Sequence, residues 1–197
     1  VIDGDRLALA LAYIGDNDVA AASLALGGLS HPAASDAAAS YAAEQGVILV
    51  GAAGDENAWH RNTPAKADPF LFVKSVRALD RREGGGATTF LATWHCNNVG
   101  PRLDLVAPAS ACATGATARI AGLAGLLTAA SEQSGQDLDT ATLRALLRAT
   151  ADDVVFSADE VERLDLLPAS EGWDTNHGYG RVNIGAAVEA LQGGLPP

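Results

Sequence analysis

A chain of 197 residues can bury a sizeable core. With 48% apolar but only 5% aromatic residues and no methionine, that core must be built from alanine, leucine and valine, which suits closely layered α/β packing better than a large ligand cavity. Thirteen Lys and Arg against 24 Asp and Glu leave a formal charge of −11, so the surface repels nucleic acid and anionic lipid alike, and no apolar run is long enough to span a bilayer.

Leu7 to Ile14 is an alanine–leucine helix candidate, ended by the polar run Gly15-Asp16-Asn17-Asp18. Val19 to Leu26 is short and apolar and meets Gly27-Gly28, as a buried strand running into a loop would. Pro32 to Gln45 has helical composition and stops at Gly46. Val47-Ile48-Leu49-Val50, β-branched and bounded by Gly51 and Gly54, predicts a buried parallel strand. Phe70 to Leu79 reads as a strand pair or strand-turn, and Leu103 to Ala107 as a further strand. Thr117 to Ala130 predicts a long buried helix. Leu138 to Thr150 is amphipathic, with Asp139 or Thr140 as N-cap before Leu143, Leu146 and Leu147. Ser157 to Trp173 reads as a surface excursion, and Ala186 to Leu191 as a last short helix. Strands alternating with helices predict a layered α/β domain with a mostly parallel sheet. No linker or repeat divides it, so residues 1–197 read as a single domain.

Several strings stand in a telling order: Asp18-Val19 through Leu26-Gly27-Gly28; Ile48-Leu49-Val50-Gly51-Ala52-Ala53-Gly54-Asp55; Thr63-Pro64-Ala65; Leu103-Asp104-Leu105-Val106-Ala107-Pro108; and Gly178-Tyr179-Gly180-Arg181-Val182-Asn183. Cys112-Ala113-Thr114-Gly115-Ala116-Thr117-Ala118-Arg119-Ile120-Ala121-Gly122 has the frame of a serine-protease nucleophile helix. Together these resemble the subtilisin-like serine proteases, the subtilases. The resemblance implies their three-layer fold, a mostly parallel central sheet flanked by helices. It covers essentially the whole chain, but only the C-terminal two-thirds of a typical catalytic domain, so the family's N-terminal strands are expected to be lacking.

The family's chemistry requires a nucleophilic serine, a histidine base, an aspartate orienting that histidine, and an oxyanion donor. The resemblance puts Thr114 at the nucleophile, Ala118-Arg119 where Pro-His is usual, and Asp55 at the oxyanion asparagine. It puts Ala25, Leu26 and Gly27 along one side of an extended-peptide groove. No Asp-Thr-Gly or His-Gly-Thr string is present, and Asp3 and Asp5 lie too close to the substrate-strand match to supply the aspartate. The methyl of Thr114 restricts χ1 and crowds attack, and an internal threonine has no terminal amine as base. An ionised Asp55 repels developing negative charge where an amide would donate, a change that costs roughly two to three orders of magnitude in turnover; a protonated one donates. The stretch from Pro108 to Cys112 is shorter than in most relatives, leaving Ser110 as the nearby serine.

Plainer roles stand beside these. Thr114 suits a helix N-cap. Cys112 is either a thiol at a helix N-terminus or a small buried side chain, and with Cys96 it makes a pair whose separation in space the sequence leaves open. Of His31, His60, His95 and His177, His31 is best placed beside the groove for a relocated base, and His95 beside Cys96 is a weak metal signal. Asp152-Asp153 and Asp159-Glu160-Glu162 suit an acidic face. No metal or cofactor is expected from the residues, calcium being implied by the family resemblance alone. The partners expected are a polypeptide substrate or partner chain and a complementing N-terminal segment, and the resemblance implies an extracellular or periplasmic setting. The expected function is a subtilase-like domain inactive as a peptidase in this form and retaining a peptide groove; the alternative is an endopeptidase completed by an upstream segment or second chain.

Overall fold

The computed structural model describes residues 3–30, 32–59, 62, 64–78, 90–93, 96–136 and 138–193. Its elements are α1 (Gly4–Gly15), β1 (Ala21–Leu24), α2 (Ala33–Glu44), β2 (Ile48–Ala52), β3 (Phe70–Ala78), β4 (Phe90–Thr93), β5 (Leu105–Pro108), α3 (Ala113–Ser134), α4 (Thr140–Ala149), α5 (Ala158–Leu164) and α6 (Ile184–Gln192). β1, β2, β3 and β5 are parallel, and β4 joins the far end of β3 antiparallel. The expected mostly parallel α/β sheet is therefore present.

Strand alternation assigns side chains to the two faces. Ile48 and Val50 of β2, Leu71 and Val73 of β3, and Leu105 and Ala107 of β5 pack with α3, α4 and α6. Leu49 and Phe70 face the opposite way, toward α1 and α2. A third cluster on this side of β3 and β5 joins Phe72, Val76, Leu103 and Val106 to Ala52, Ala53, Ala65 and Ala113. The alanine-rich composition lets these layers approach closely.

Three expectations need correction, and a fourth, the surface excursion, stands but gains a helix. β1 is not a buried strand: only Leu24 of its four residues is buried, because among the described strands it pairs on one side alone, with β2. Phe70 to Ala78 forms one nine-residue strand rather than a pair, hydrogen-bonded to neighbours on both sides. The long helix α3 buries one stripe, Ala116, Ile120, Leu123, Ala124 and Leu127, and leaves Leu126 exposed, since only one side meets the sheet. The excursion from Ser157 to Trp173 contains α5, closed at its start by a capping box in which Ser157 and Glu160 bond each other's backbone. α4 is capped by Asp139, whose carboxylate accepts from Thr142 N–H at 2.7 Å.

Among the described residues, no helix is long and apolar enough to cross a membrane.

Candidate functional site

β2 delivers the chain into a tight turn at its carboxy-terminal end. Ala53 N–H bonds Val73 O at 2.8 Å, and Gly54 then turns with φ +103°. A side chain on Gly54 would run into Asn62, Asn98 and Glu56, so the turn requires glycine both for its angle and for its crowding. Asp55 and Glu56 leave this turn in different directions.

Asp55 Oδ1 accepts from Ala113 N–H at 2.8 Å. Ala113 opens α3, whose N-cap Cys112 makes no side-chain cap bond, and whose first turn holds no acidic residue. Asp55 thus caps α3 from a different element and offers negative charge to the positive end of its dipole. This displaces Thr114 from the expected cap role: it lies inside the first turn, exposed, and its hydroxyl makes no hydrogen bond to any described residue.

Glu56 and two buried asparagines form the floor. Asn62 Nδ2 donates to both Glu56 carboxylate oxygens at 2.9 and 3.0 Å, and Asn98 Nδ2 donates to Glu56 Oε2 at 2.6 Å. Asn98 Nδ2 also reaches Ala53 O at 3.0 Å, while its Oδ1 accepts from the N–H groups of Glu56 and Ala58. Asn62 and Asn98 are fully buried; both groups of the Asn98 amide and the Nδ2 of Asn62 hold the turn, while Asn62 Oδ1 has no hydrogen-bond partner among the described residues.

A disulfide between Cys96 and Cys112, with Cα atoms 5.9 Å apart, ties the segment that carries Asn98 to the start of α3. Cys112 is therefore neither a reactive thiol nor a small buried side chain, because its sulfur is committed to Cys96. Beside this bond, Asn97 Nδ2 donates to Ser75 O at 3.0 Å and the Ser75 hydroxyl donates to Ala111 O. These contacts carry the short path from Pro108 to Cys112 across the end of β3.

The result is a depression of about 200 Å³ lined by Ala25, Leu26, Gly27, Ala52, Gly54, Asp55, Glu56, Asn62 and Thr114. All five residues singled out in the sequence meet here: Ala25, Leu26 and Gly27 on one wall, Asp55 and Thr114 on the other. Glu56, Asn62 and Asn98 were missed. Glu56 follows Asp55 in the same turn and could have been suspected; nothing in the sequence brings Asn62 or Asn98 to it.

The remaining candidates fall elsewhere. His31, His60 and His95 lie outside the described residues, as does Thr63. His177 is buried, with Nε2 3.1 Å from Leu91 O and its ring edge-on to Phe156. Ser110, Ala118 and Arg119 are exposed. Asp152 binds Arg181 and Asn183, and Asp159 and Glu160 occupy the first turn of α5. Among the described residues, no three His, Cys, Asp or Glu side chains converge so as to hold a metal ion.

Order and geometry now agree with a sequence match: the family described as peptidase S8, subtilase family, matches residues 4–180. The chain belongs to the subtilase family. Among solved structures it is similar to the prenylagaramide maturation protease PagA (19% identity, TM-score 0.77, covering 98% of this chain and 69% of that one). It is also similar to the patellamide maturation protease PatA (21%, 0.75, 98% and 70%) and to a lanthipeptide protease (15%, 0.72, 96% and 66%). At these identities the likeness shows the subtilase fold. This subtilase domain spans about two-thirds of the length of those structures. No curated protein matches it.

Proposed function

We propose that this subtilase domain holds an extended peptide in the depression between Ala25-Leu26-Gly27 and Thr114 without hydrolysing it. The arrangement of Asp55 carries the reading. Its carboxylate is held as an acceptor for Ala113 N–H, next to a threonine hydroxyl that no described side chain activates. A developing oxyanion there meets a like charge rather than a donor, which opposes acyl transfer. Binding suffers no such conflict. β1 has an unpaired edge among the described strands, and a peptide extending past Leu26 gains main-chain hydrogen bonds. Asp55 and Glu56 make the depression acidic and favour a peptide with a basic or neutral side chain over an acidic one.

The test is a fluorophosphonate probe at neutral and acidic pH, with mass mapping of any adduct, alongside binding of an extended peptide. We expect peptide binding and no adduct on a folded sample. An adduct on Thr114 or Ser110 would overturn the reading.

The same open edge of β1 favours a second reading, an endopeptidase completed by an upstream segment or second chain that pairs with β1 and brings the missing base. Coding sequence ahead of Val1 containing Asp-Thr-Gly and His-Gly-Thr would select it. An extracellular or periplasmic setting suits both readings, because the Cys96–Cys112 disulfide persists in oxidising compartments.

A further inference from the structure

Three arginines gather at the edge of the sheet opposite the groove. The groove lies past the carboxy-terminal ends of β1 and β2; the arginines lie where β3 and β5 begin. Arg148, near the end of α4, donates to Asp104 Oδ1 through Nε at 3.0 Å and through Nη2. Arg144, one turn earlier, has Nε 3.7 Å from the same oxygen and donates to Asp68 O at 2.9 Å and to Phe70 O. Arg102 donates to Lys66 O at 2.6 Å and to Asp68 Oδ1 at 2.9 Å.

Three guanidiniums therefore face two carboxylates, and the two carboxylates are unequal. Asp104 is buried and also accepts from Phe72 N–H at 2.8 Å. The Asp68 side chain is 101% exposed, so water screens most of its charge. Neutralising Asp104 requires one guanidinium, and two already address it; Arg102 does not contact it. What remains is a positive spot on a molecule of net charge −11. The crowding is visible at Arg144: burial pulls its guanidinium pKa down, Asp104 opposes this, Arg148 and Arg102 pull it further down, and Asp68 opposes them least of all.

The spot is concave and has aromatic walls. Pro101, Arg102, Leu103, Arg148, Trp173 and Tyr179 line a depression of about 270 Å³. Trp173 Nε1 donates to Leu103 O at 2.9 Å, which fixes the indole at the rim. The Arg148 guanidinium carbon lies 4.7 Å from the centroid of the Tyr179 ring, so its plane is held by cation–π contact. Both rings keep more than a third of their surface in water.

We propose that this depression is a second binding site, for a carboxylate carried by a peptide. A carboxylate matches the planar fork of a guanidinium and adds the missing negative charge. The half-exposed rings favour a ligand with an aliphatic stem, which a peptide side chain has and a bare inorganic anion lacks. The volume lies below the roughly 300–1,000 Å³ of drug-sized pockets, so it accommodates a side chain or two rather than a cofactor. This site uses none of the groove residues, and its test is independent of the groove.

The test follows the indole N–H resonance of Trp173, assigned with Trp173→Phe, in the intact chain. The titrants are a blocked diglutamyl peptide, its diglutaminyl counterpart and inorganic phosphate. We expect a saturable shift with the glutamyl peptide and none with the glutaminyl one. The affinity should fall about tenfold in Arg102→Gln and weaken with added salt in the unmodified chain. No saturable shift with the glutamyl peptide, equal affinity in Arg102→Gln or insensitivity to salt would overturn the site. Phosphate binding as tightly as the glutamyl peptide would overturn the assignment to a peptide carboxylate.

Discussion

Asp55 acts on a helix to which it does not belong. N-cap side chains usually lie next to the N–H groups they satisfy; here the cap lies 58 residues earlier in the chain. Replacing Asp55 by alanine removes the one side-chain acceptor that the described residues give the first turn of α3. We expect a stability loss of about 1 kcal/mol in urea unfolding. Asp55→Asn keeps the acceptor oxygen and should remain within about 0.5 kcal/mol of the unmodified protein. An alanine variant as stable as the original would mean that Ala113 N–H is satisfied by water and that the cap contributes nothing. The asparagine variant also restores an amide at the oxyanion position suggested by the resemblance. If Thr114 has no activating base, as the proposed function holds, this variant should remain unreactive toward the fluorophosphonate.

At the scale of elements, the disulfide has the widest reach. Cys96 and Cys112 are 16 residues apart in sequence, and closing a loop of that length in the unfolded chain is worth about 3 kcal/mol in the chain-entropy account. We expect a dithiol reductant, or the Cys96→Ala/Cys112→Ala pair, to lower unfolding stability by about 2–3 kcal/mol and to weaken the peptide binding proposed for the groove. Unchanged stability on complete reduction would count against the disulfide as a brace. The pairing illustrates what the sequence withheld. Elements whose cause is local were legible: α4 from its heptad-like leucines and Asp139, β2 from its β-branched run between glycines, α2 from alanines ended by Gly46. The S-x-x-E string at Ser157–Glu160 is a local signal for the start of α5. Features caused by distant partners were not legible. The exposure of β1 depends on which neighbours it has, Thr114 lost the cap to Asp55, and among the described strands β4 joins the sheet through the far end of β3 alone. The site divided in the same way: its walls could be read from ordered motifs, whereas Glu56 acquires its setting only when Asn62 and Asn98 fold onto it.

The molecule as a whole carries an unusual buried cation. Lys74 of β3 is completely buried, and its Nζ, together with Asp174 Oδ2 and His177 Nδ1, has no hydrogen-bond partner among the described residues. Burial pulls the Lys74 pKa down from 10.5 to about 7, against the pull of Asp174. Burial pushes the Asp174 carboxyl up, yet the His177 ring, with Nδ1 3.7 Å from Asp174 Oδ1, and hydrogen bonds from the Asn176 and His177 N–H groups leave it, on balance, below its usual value. For Lys74, the unfolded chain binds a proton that the native state gives up between pH 7 and 10.5, so this group makes stability rise with pH across that window. Below pH 7 its penalty is complete and flat. Lys74→Met should therefore melt roughly 5 °C higher than the original at pH 6 and lose most of the alkaline rise. A variant that melts lower at pH 6 would show that the lysine contributes a favourable pairing with Asp174.

Lys74 also has a consequence for the kinetics of opening. Lys66 and Lys74 are the chain's two lysines; Lys66 is partly exposed, whereas Lys74 is sealed within the sheet. Acylating reagents attack only amines they can reach, and the Lys74 amine is buried in the native sheet. Apart from the terminal amine, Lys66 should be tagged at once and Lys74 only in molecules whose sheet has parted. Each molecule then records its own history in whole mass increments, so the rate at which the second side-chain tag appears is a clock for the unfolding of the entire domain.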